Sequence, residues 1–196
     1  MRIQWVYSHF RYQIVPATPR DRISSKMSEL ADPASDQGTD ALIAHILSRF
    51  HDVHRSELAA LHLLAQKVES VHADDALAPP GLAQALMKLW REIEDHMAKE
   101  ERVLFPAMQA GGMQELEHPI RVMRTDHDDH AATIAHIRSL TANLTPPDHA
   151  CGSWRALYSG TEKLLADLSA HIALENDVLF PRFEEGCRDG HCDCHR

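Results

Sequence analysis

Histidine and glutamate recur in this chain at a spacing that would bring metal ligands together. The segment from His96 to Pro106 reads HMAKEERVLFP and that from His171 to Pro181 reads HIALENDVLFP, so the frame HxxxExxVLFP occurs twice, 75 residues apart (96 to 171). On a helix, residues four apart lie one turn above each other on one face, so the imidazole and carboxylate of each pair converge on one point. Upstream, HDVH (His51 to His54) and HDDH (His127 to His130) share HDxH, 76 residues apart (51 to 127). A histidine precedes the next HxxxE by 45 residues in one half (51 to 96) and 44 in the other (127 to 171), which marks an internal duplication. The candidate donors are therefore His51, His96, Glu100, His127, His171 and Glu175. Four imidazoles and two carboxylates are too many for one tetrahedral zinc. Two metals bridged by Glu100 and Glu175 would each have two histidines, two shared carboxylates and an open position. Nitrogen and oxygen donors without thiolate suit iron or manganese, with iron favoured where the chemistry is redox. His54 and His130 lie one turn beyond proposed ligands and are read as orienting an imidazole rather than binding metal. Single histidines such as His62, His72 and His136 are read as ordinary surface or backbone-bonded residues.

The elements that must position these donors are helices. Ile43, Leu47, His51, His54, Leu58, Leu61, Ala65 and Val68 form one seam at helical spacing, from about Thr39 to about His72. After Pro79, Pro80 and Gly81, a second seam runs through Leu82, Leu86, Leu89, Ile93, His96, Glu100 and Val103 and ends near Pro106. Gly111 and Gly112 break the chain before a third seam of Ile120, Met123, His127, His130, Ile134 and Ile137. Thr145, Pro146 and Pro147 close that helix. The fourth carries Trp154, Leu157, Leu164, Leu168, His171, Glu175 and Val178 and ends around Pro181. The expected fold is all-α, an antiparallel four-helix bundle built from a duplicated helical hairpin. The repeated VLFP reads as apolar packing followed by a helix stop. Polar ligand residues fall on core positions of these seams, and buried imidazoles and carboxylates must satisfy one another or bind something.

Composition agrees and excludes other classes. The chain has 196 residues, 44% hydrophobic and 25% charged, with a net charge of −9 and 15 histidines. It lacks the basic surface that phosphates require, so nucleic acid is not an expected partner. It also lacks an apolar run long enough to cross a membrane. Residues 1–38, with Pro16, Pro19, Pro33 and no sustained period, are read as a poorly ordered or loosely docked extension, and Met27 is a plausible initiator. The bundle is expected over 39–185 and a Cys/His-rich tail over 186–196, where Cys187, Cys192 and Cys194 crowd together. Such cysteines make no disulfide framework, and the N-terminus has no secretory signal, so a cytoplasmic location is expected.

Taken together, FHDVHR (Phe50 to Arg55), HMAKEERVLFP, Asp126–His127, TPPDHACGSWRALYSG (Thr145 to Gly160) and HIALENDVLFP resemble the hemerythrin-like di-iron proteins of the RIC, or repair-of-iron-centres, family over about residues 40–185. The resemblance implies two iron ions in a bridged centre, with His51, His96, His127 and His171 as ligands and Glu100 and Glu175 bridging. It also implies a role in nitrosative and oxidative stress, binding nitric oxide and donating iron to damaged iron–sulfur proteins. Residues 1–38 do not match the paired-cysteine domain with which many members begin, so the chain resembles the shorter nitric-oxide-binding type. The tail is likewise atypical. Two other activities are compatible with such a centre, namely reversible dioxygen binding or sensing and reduction of nitric oxide to nitrous oxide. The symmetric four-histidine, two-carboxylate set favours a reactive or labile centre over reversible oxygenation.

Overall fold

The computed structural model describes residues 38–111 and 116–184, and all regular structure among them is helical. The expected extension, apart from Gly38, and the Cys/His-rich tail lie outside the described residues. Four rods are formed. Helix α1 (39–71) joins α-helical Thr39–Ile46, a π-helical turn Leu47–His51 and α-helical Asp52–Val71. Helix α2 (82–109) joins Leu82–Lys99, a π turn Glu100–Leu104 and Phe105–Gln109. Helix α3 is Glu117–Leu140. Helix α4 (152–182) joins Gly152–Leu174, a π turn Glu175–Leu179 and a closing 3₁₀ turn Phe180–Arg182. Among the described residues no helix is long and apolar enough to cross a membrane.

Cross-helix contacts give the direction of each rod. Ala83 N–H donates to Glu69 while Arg55 pairs with Glu94, so α1 and α2 run antiparallel. Lys99 with Asp126 and His96 with His127 order α2 against α3 in the same way. His72 with Cys151 and Phe50 with His171 do so for α1 and α4, and Arg138 with Glu162 and Arg124 with Glu184 for α3 and α4. This is the up-down-up-down bundle that short connections impose. At Gly81 the chain enters α2 with φ +88°, a left-handed conformation natural to glycine. Between α3 and α4 the backbone is left-handed at Ala142, Asn143 and Leu144 in succession. Asn143 N–H donates to the Arg138 carbonyl and Leu144 N–H to Thr141 Oγ1, which hold that strained turn.

The apolar core is split in two. One cluster, including Leu58, Leu86, Ile93, Trp154 and Leu168, fills the end near the α1–α2 connection. The other, including Ile43, Phe50, Leu104, Phe105, Met123 and Phe180, fills the opposite end. The predicted ligand histidines and glutamates form a buried layer between them.

The π turns change which residues face inward. Each closes with an N–H bonded to the carbonyl five residues back: Asp52 to Leu47, Phe105 to Glu100 and Phe180 to Glu175. The extra residue advances the register by one position. Val103, expected on the seam, is therefore 61% exposed, whereas Leu104 and Phe105 are buried. Leu47 and Val178 lie only partly inside, and Ile46, Phe50, Leu179 and Phe180 fill the interior. The reading of Pro106 as a helix stop is also corrected, because α2 continues to Gln109. The π turn restarts the α-helical ladder at Phe105, so Pro106 occupies a first-turn position where its missing N–H has no partner to lose. Pro181 does lie in the closing turn of α4.

Candidate metal centre

All six side chains expected from the sequence come together. His51, Glu100, His171 and Glu175 form one group whose donor atoms lie within 4.8 Å of one another, and His96, His127 and Glu175 form a second. Glu175 joins the groups: its Oε1 is 2.9 Å from His171 Nε2, and its Oε2 is 3.2 Å from His127 Nε2 and 3.9 Å from His96 Nε2. Glu100 Oε2 lies 3.3 Å from His51 Nε2 and 3.4 Å from His96 Nε2. Each carboxylate thus stands between one histidine pair, His51 with His171, and the other, His96 with His127.

Three of the four helices that carry the candidate donors do so at the edge of a π turn. His51 ends the first, while Glu100 and Glu175 begin the others. Each HxxxE pair sits in the preceding α-helical stretch or at its boundary, which preserves the one-turn stacking that makes its groups converge. A phenylalanine within the first turn and one directly after each of the other two are re-aimed as covers. Phe50 stacks on His171 with ring centroids 4.9 Å apart and 7° between planes, and Phe180 stacks on His127 at 6.0 Å and 8°. Phe105 lies over His51 at 5.8 Å.

Three of the four candidate imidazoles also have a partner for the ring nitrogen that faces away from the centre. His51 Nδ1 is 2.8 Å from Glu101 Oε1, which Arg55 holds at 2.9 Å. His127 Nδ1 is 3.1 Å from Asn176 Oδ1. His96 Nδ1 is 3.4 Å from Asp126 Oδ2, which Lys99 engages at 2.7 Å. Such contacts fix tautomer and ring orientation and so leave Nε2 free to bind. Glu101, Asp126 and Asn176 were not singled out for this role in the sequence. Glu101 and Asn176 directly follow the two frame glutamates, so the repeat itself placed a hydrogen-bonding residue at the same point in each half.

The electrostatics are those of a site built for cations. Glu100 and Glu175 have 0% exposure. Burial pushes the Glu100 carboxyl up, and the charge of Glu175 adds to this, bringing it to about 7. Burial acts on Glu175 as well but is outweighed by His171, His127 and His96, which hold it well below the usual carboxylate range. His96 is raised to about 10 because its burial is outweighed by Glu100, Asp126 and Glu175. Both oxygens of Glu100, Oε2 of Glu175 and Nε2 of His51 are buried without a hydrogen-bond partner. Buried acceptors left unsatisfied cost free energy, and a pair of divalent cations would satisfy all of them. The donor chemistry fits iron, with imidazole and carboxylate ligands and no thiolate.

His54 and His130 are both buried one turn from candidate ligands and are not in either group. His54 lies 5.5 Å from His171 and His130 lies 5.2 Å from His96, ring centre to ring centre. Burial lowers His54 to about 3, with the neighbouring His171 and His51 adding to it, and burial with His96 lowers His130 to about 4. Both are neutral at physiological pH.

A four-helix bundle with a buried layer of histidines and shared glutamates defines the hemerythrin class. The hemerythrin HHE cation binding domain matches residues 42–183, and the chain belongs to that family. Within it the chain groups with the iron–sulfur cluster repair proteins. It is 44% identical over 170 residues to "Iron-sulfur cluster repair protein YtfE" of Musicola paradisiaca (strain Ech703), covering 84% of this chain and 77% of that protein. It is 45% identical over 167 residues to the protein of the same name from Cronobacter sakazakii (strain ATCC BAA-894), covering 83% and 76%.

Proposed function

We propose that this protein is a di-iron protein of the nitrosative and oxidative stress response that binds nitric oxide at this centre and donates iron for repair of damaged iron–sulfur clusters in the cytoplasm. In this reading His51 and His171 hold one iron and His96 and His127 the other, with Glu100 and Glu175 shared. The observation that carries it is the position of Glu175, whose two oxygens reach one histidine of each pair at 2.9 and 3.2 Å. The iron pair supplies redox-active cations with coordination positions left for a diatomic ligand. The protein's own groups do the rest. Two buried carboxylates compensate part of the cationic charge, the partners on Nδ1 keep Nε2 available, and Phe50, Phe105 and Phe180 keep water from the imidazole faces. Four histidines and two carboxylates leave the ions short of full coordination, which suits release as well as binding of a small ligand. The relatives named for cluster repair support the iron-donation half of the proposal. Residues 1–38 and 186–196 are proposed to lie outside the functional bundle.

Anaerobic titration of the reduced, iron-loaded protein with nitric oxide tests this reading, with optical and gas analysis. Two irons per chain and a saturating spectral change are expected, with transfer of iron to a cluster-depleted acceptor protein. A single zinc per chain, or a stable and reversible dioxygen adduct without iron transfer, would overturn it.

A further inference from the structure

The duplication offers an internal comparison for the residues that hold His51 and His127. Glu101 and Asn176 occupy equivalent positions, 75 residues apart, and each bonds the Nδ1 of a proposed ligand. They are not chemically equivalent. An ionised carboxylate only accepts, so Glu101 forces His51 to carry its proton on Nδ1. An amide can present either its oxygen or its NH₂ group. If NH₂ faced His127, Nδ1 would have to accept, the proton would move to Nε2, and the atom that must bind metal would be blocked.

Arg124 removes that freedom. Its Nη1 donates to the same Asn176 Oδ1 at 3.2 Å, and its Nη2 donates to the Asn176 carbonyl at 3.2 Å. A guanidinium has donors only, so the amide atom it meets must be oxygen. That oxygen is also the one 3.1 Å from His127 Nδ1. Glu184 aims the guanidinium by accepting from Nε at 3.1 Å and from Nη2 at 3.0 Å. The guanidinium also lies 5.6 Å over the Phe180 ring, which in turn stacks on His127. In the other half the residue equivalent to Arg124, 76 positions earlier, is Ser48, whose hydroxyl donates to the Ala44 carbonyl of its own helix. No lock is present at Ser48, and a carboxylate at Glu101 needs none.

We infer that Arg124 is a positioning residue that fixes the Nδ1–H tautomer of His127 through Asn176, and so keeps His127 Nε2 ready for metal. The inference rests on the reading of His127 as a ligand, but the tautomer can be read without metal. In the metal-free protein His127 Nε2 faces His96 Nε2 and Glu175 Oε2, each at 3.2 Å, so the readout is the difference between variants at one pH: nitrogen-15 NMR of histidine should show His127 richer in Nδ1–H in the wild type and a mixture richer in Nε2–H in Arg124→Ala. Asn176→Leu should give the same mixture with Arg124 and its Glu184 contact intact. Asn176→Asp should restore Nδ1–H even when combined with Arg124→Ala, because a carboxylate can only accept. Anaerobic chelator competition with Fe(II) should then show one of two ions released roughly 10–100-fold faster in Arg124→Ala, and close to the wild-type rate in the Asn176→Asp background. An unchanged His127 tautomer in Arg124→Ala would overturn the inference, whether or not Asn176→Leu changes it. So would equal acceleration of release in both backgrounds, which would make Arg124 a mechanical clamp on the end of α4. If His127→Ala still held two irons, the ligand reading would be wrong, while the NMR result would still decide the lock.

Discussion

Glu175→Gln is the substitution for which the geometry predicts the largest loss with the smallest change of shape. The amide keeps the volume of a side chain with 0% exposure and removes one charge. That charge is real at neutral pH, because the surrounding imidazoles hold the Glu175 carboxyl well below its usual range against the opposing effect of burial. Two Fe(II) ions bring four positive charges to a layer with two carboxylates, so losing one carboxylate leaves three positive charges uncompensated instead of two. At an effective dielectric constant of about 20, opposite unit charges ~4 Å apart attract by about 4 kcal/mol, and a divalent ion doubles this. Allowing half for the lower cost of burying an amide, each ion loses about 4 kcal/mol, roughly a thousandfold in affinity. Both ions are affected because Glu175 reaches His171 through one oxygen and His127 through the other. Glu101→Gln is the comparison. It removes a partly buried carboxylate that bonds one proposed ligand, His51, as well as Arg55, and should weaken one ion by roughly 10–100-fold. Anaerobic Fe(II) titration against a competing chelator, with metal content after gel filtration, measures both. The reasoning fails if Glu175→Gln keeps two ions at wild-type affinity, or loses no more than Glu101→Gln.

Three further outcomes are expected. His54 at about 3 and His130 at about 4 lie below the ~6.5 of an unfolded histidine, so as pH falls through 6.5 the unfolded chain takes up protons that the folded one refuses. Each removes about 2 kcal/mol of stability by pH 5. Glu100, raised to about 7, acts in the opposite direction over the same range. The quantity to compare is therefore the urea-unfolding free energy of His54→Leu or His130→Leu against wild type, and parallel pH profiles would count against the assignment. The π turn predicts that Leu104→Ala costs about 2–5 kcal/mol while Val103→Ala changes stability by no more than about 0.5 kcal/mol; thermal unfolding in the reverse order would restore an unbroken α-helical register. Removing residues 1–37 and 186–196 should leave the thermal unfolding of the bundle and the iron stoichiometry unchanged, as checked by circular dichroism melting and metal analysis, and loss of nitric oxide reactivity on removing the tail would bring its cysteines into the mechanism.

The fold and the six proposed ligands were legible because their signal is periodic and local. An i, i+4 pair keeps its meaning whatever surrounds it, and the duplication repeated the pattern at a fixed offset. What surrounds the site was less legible, for a specific reason. A strict 3.6-residue period carries the seam of α2 from Glu100 to Val103, and the observed seam passes to Leu104 and Phe105 because a π turn inserts one residue there. The same slip after Leu47 and after Glu175 turns Phe50 and Phe180 inward. No periodicity can announce an insertion whose stabilisation comes from the layer it serves. In all three rods the slip occurs next to a proposed ligand, where it lets a buried carboxylate or imidazole and a phenylalanine share one face of the bundle. Arg124 shows a second limit. Nothing in RVMRTDH marks that arginine as different from its neighbour Arg121, which reaches His118 and Glu117 on its own helix. The difference arises only when α4 lies alongside α3 and brings an asparagine, rather than a second glutamate, to the outer nitrogen of His127. The candidate ligand positions were therefore written in single helices, whereas the groups that meet the outer nitrogen of His127 depend on a pairing between helices.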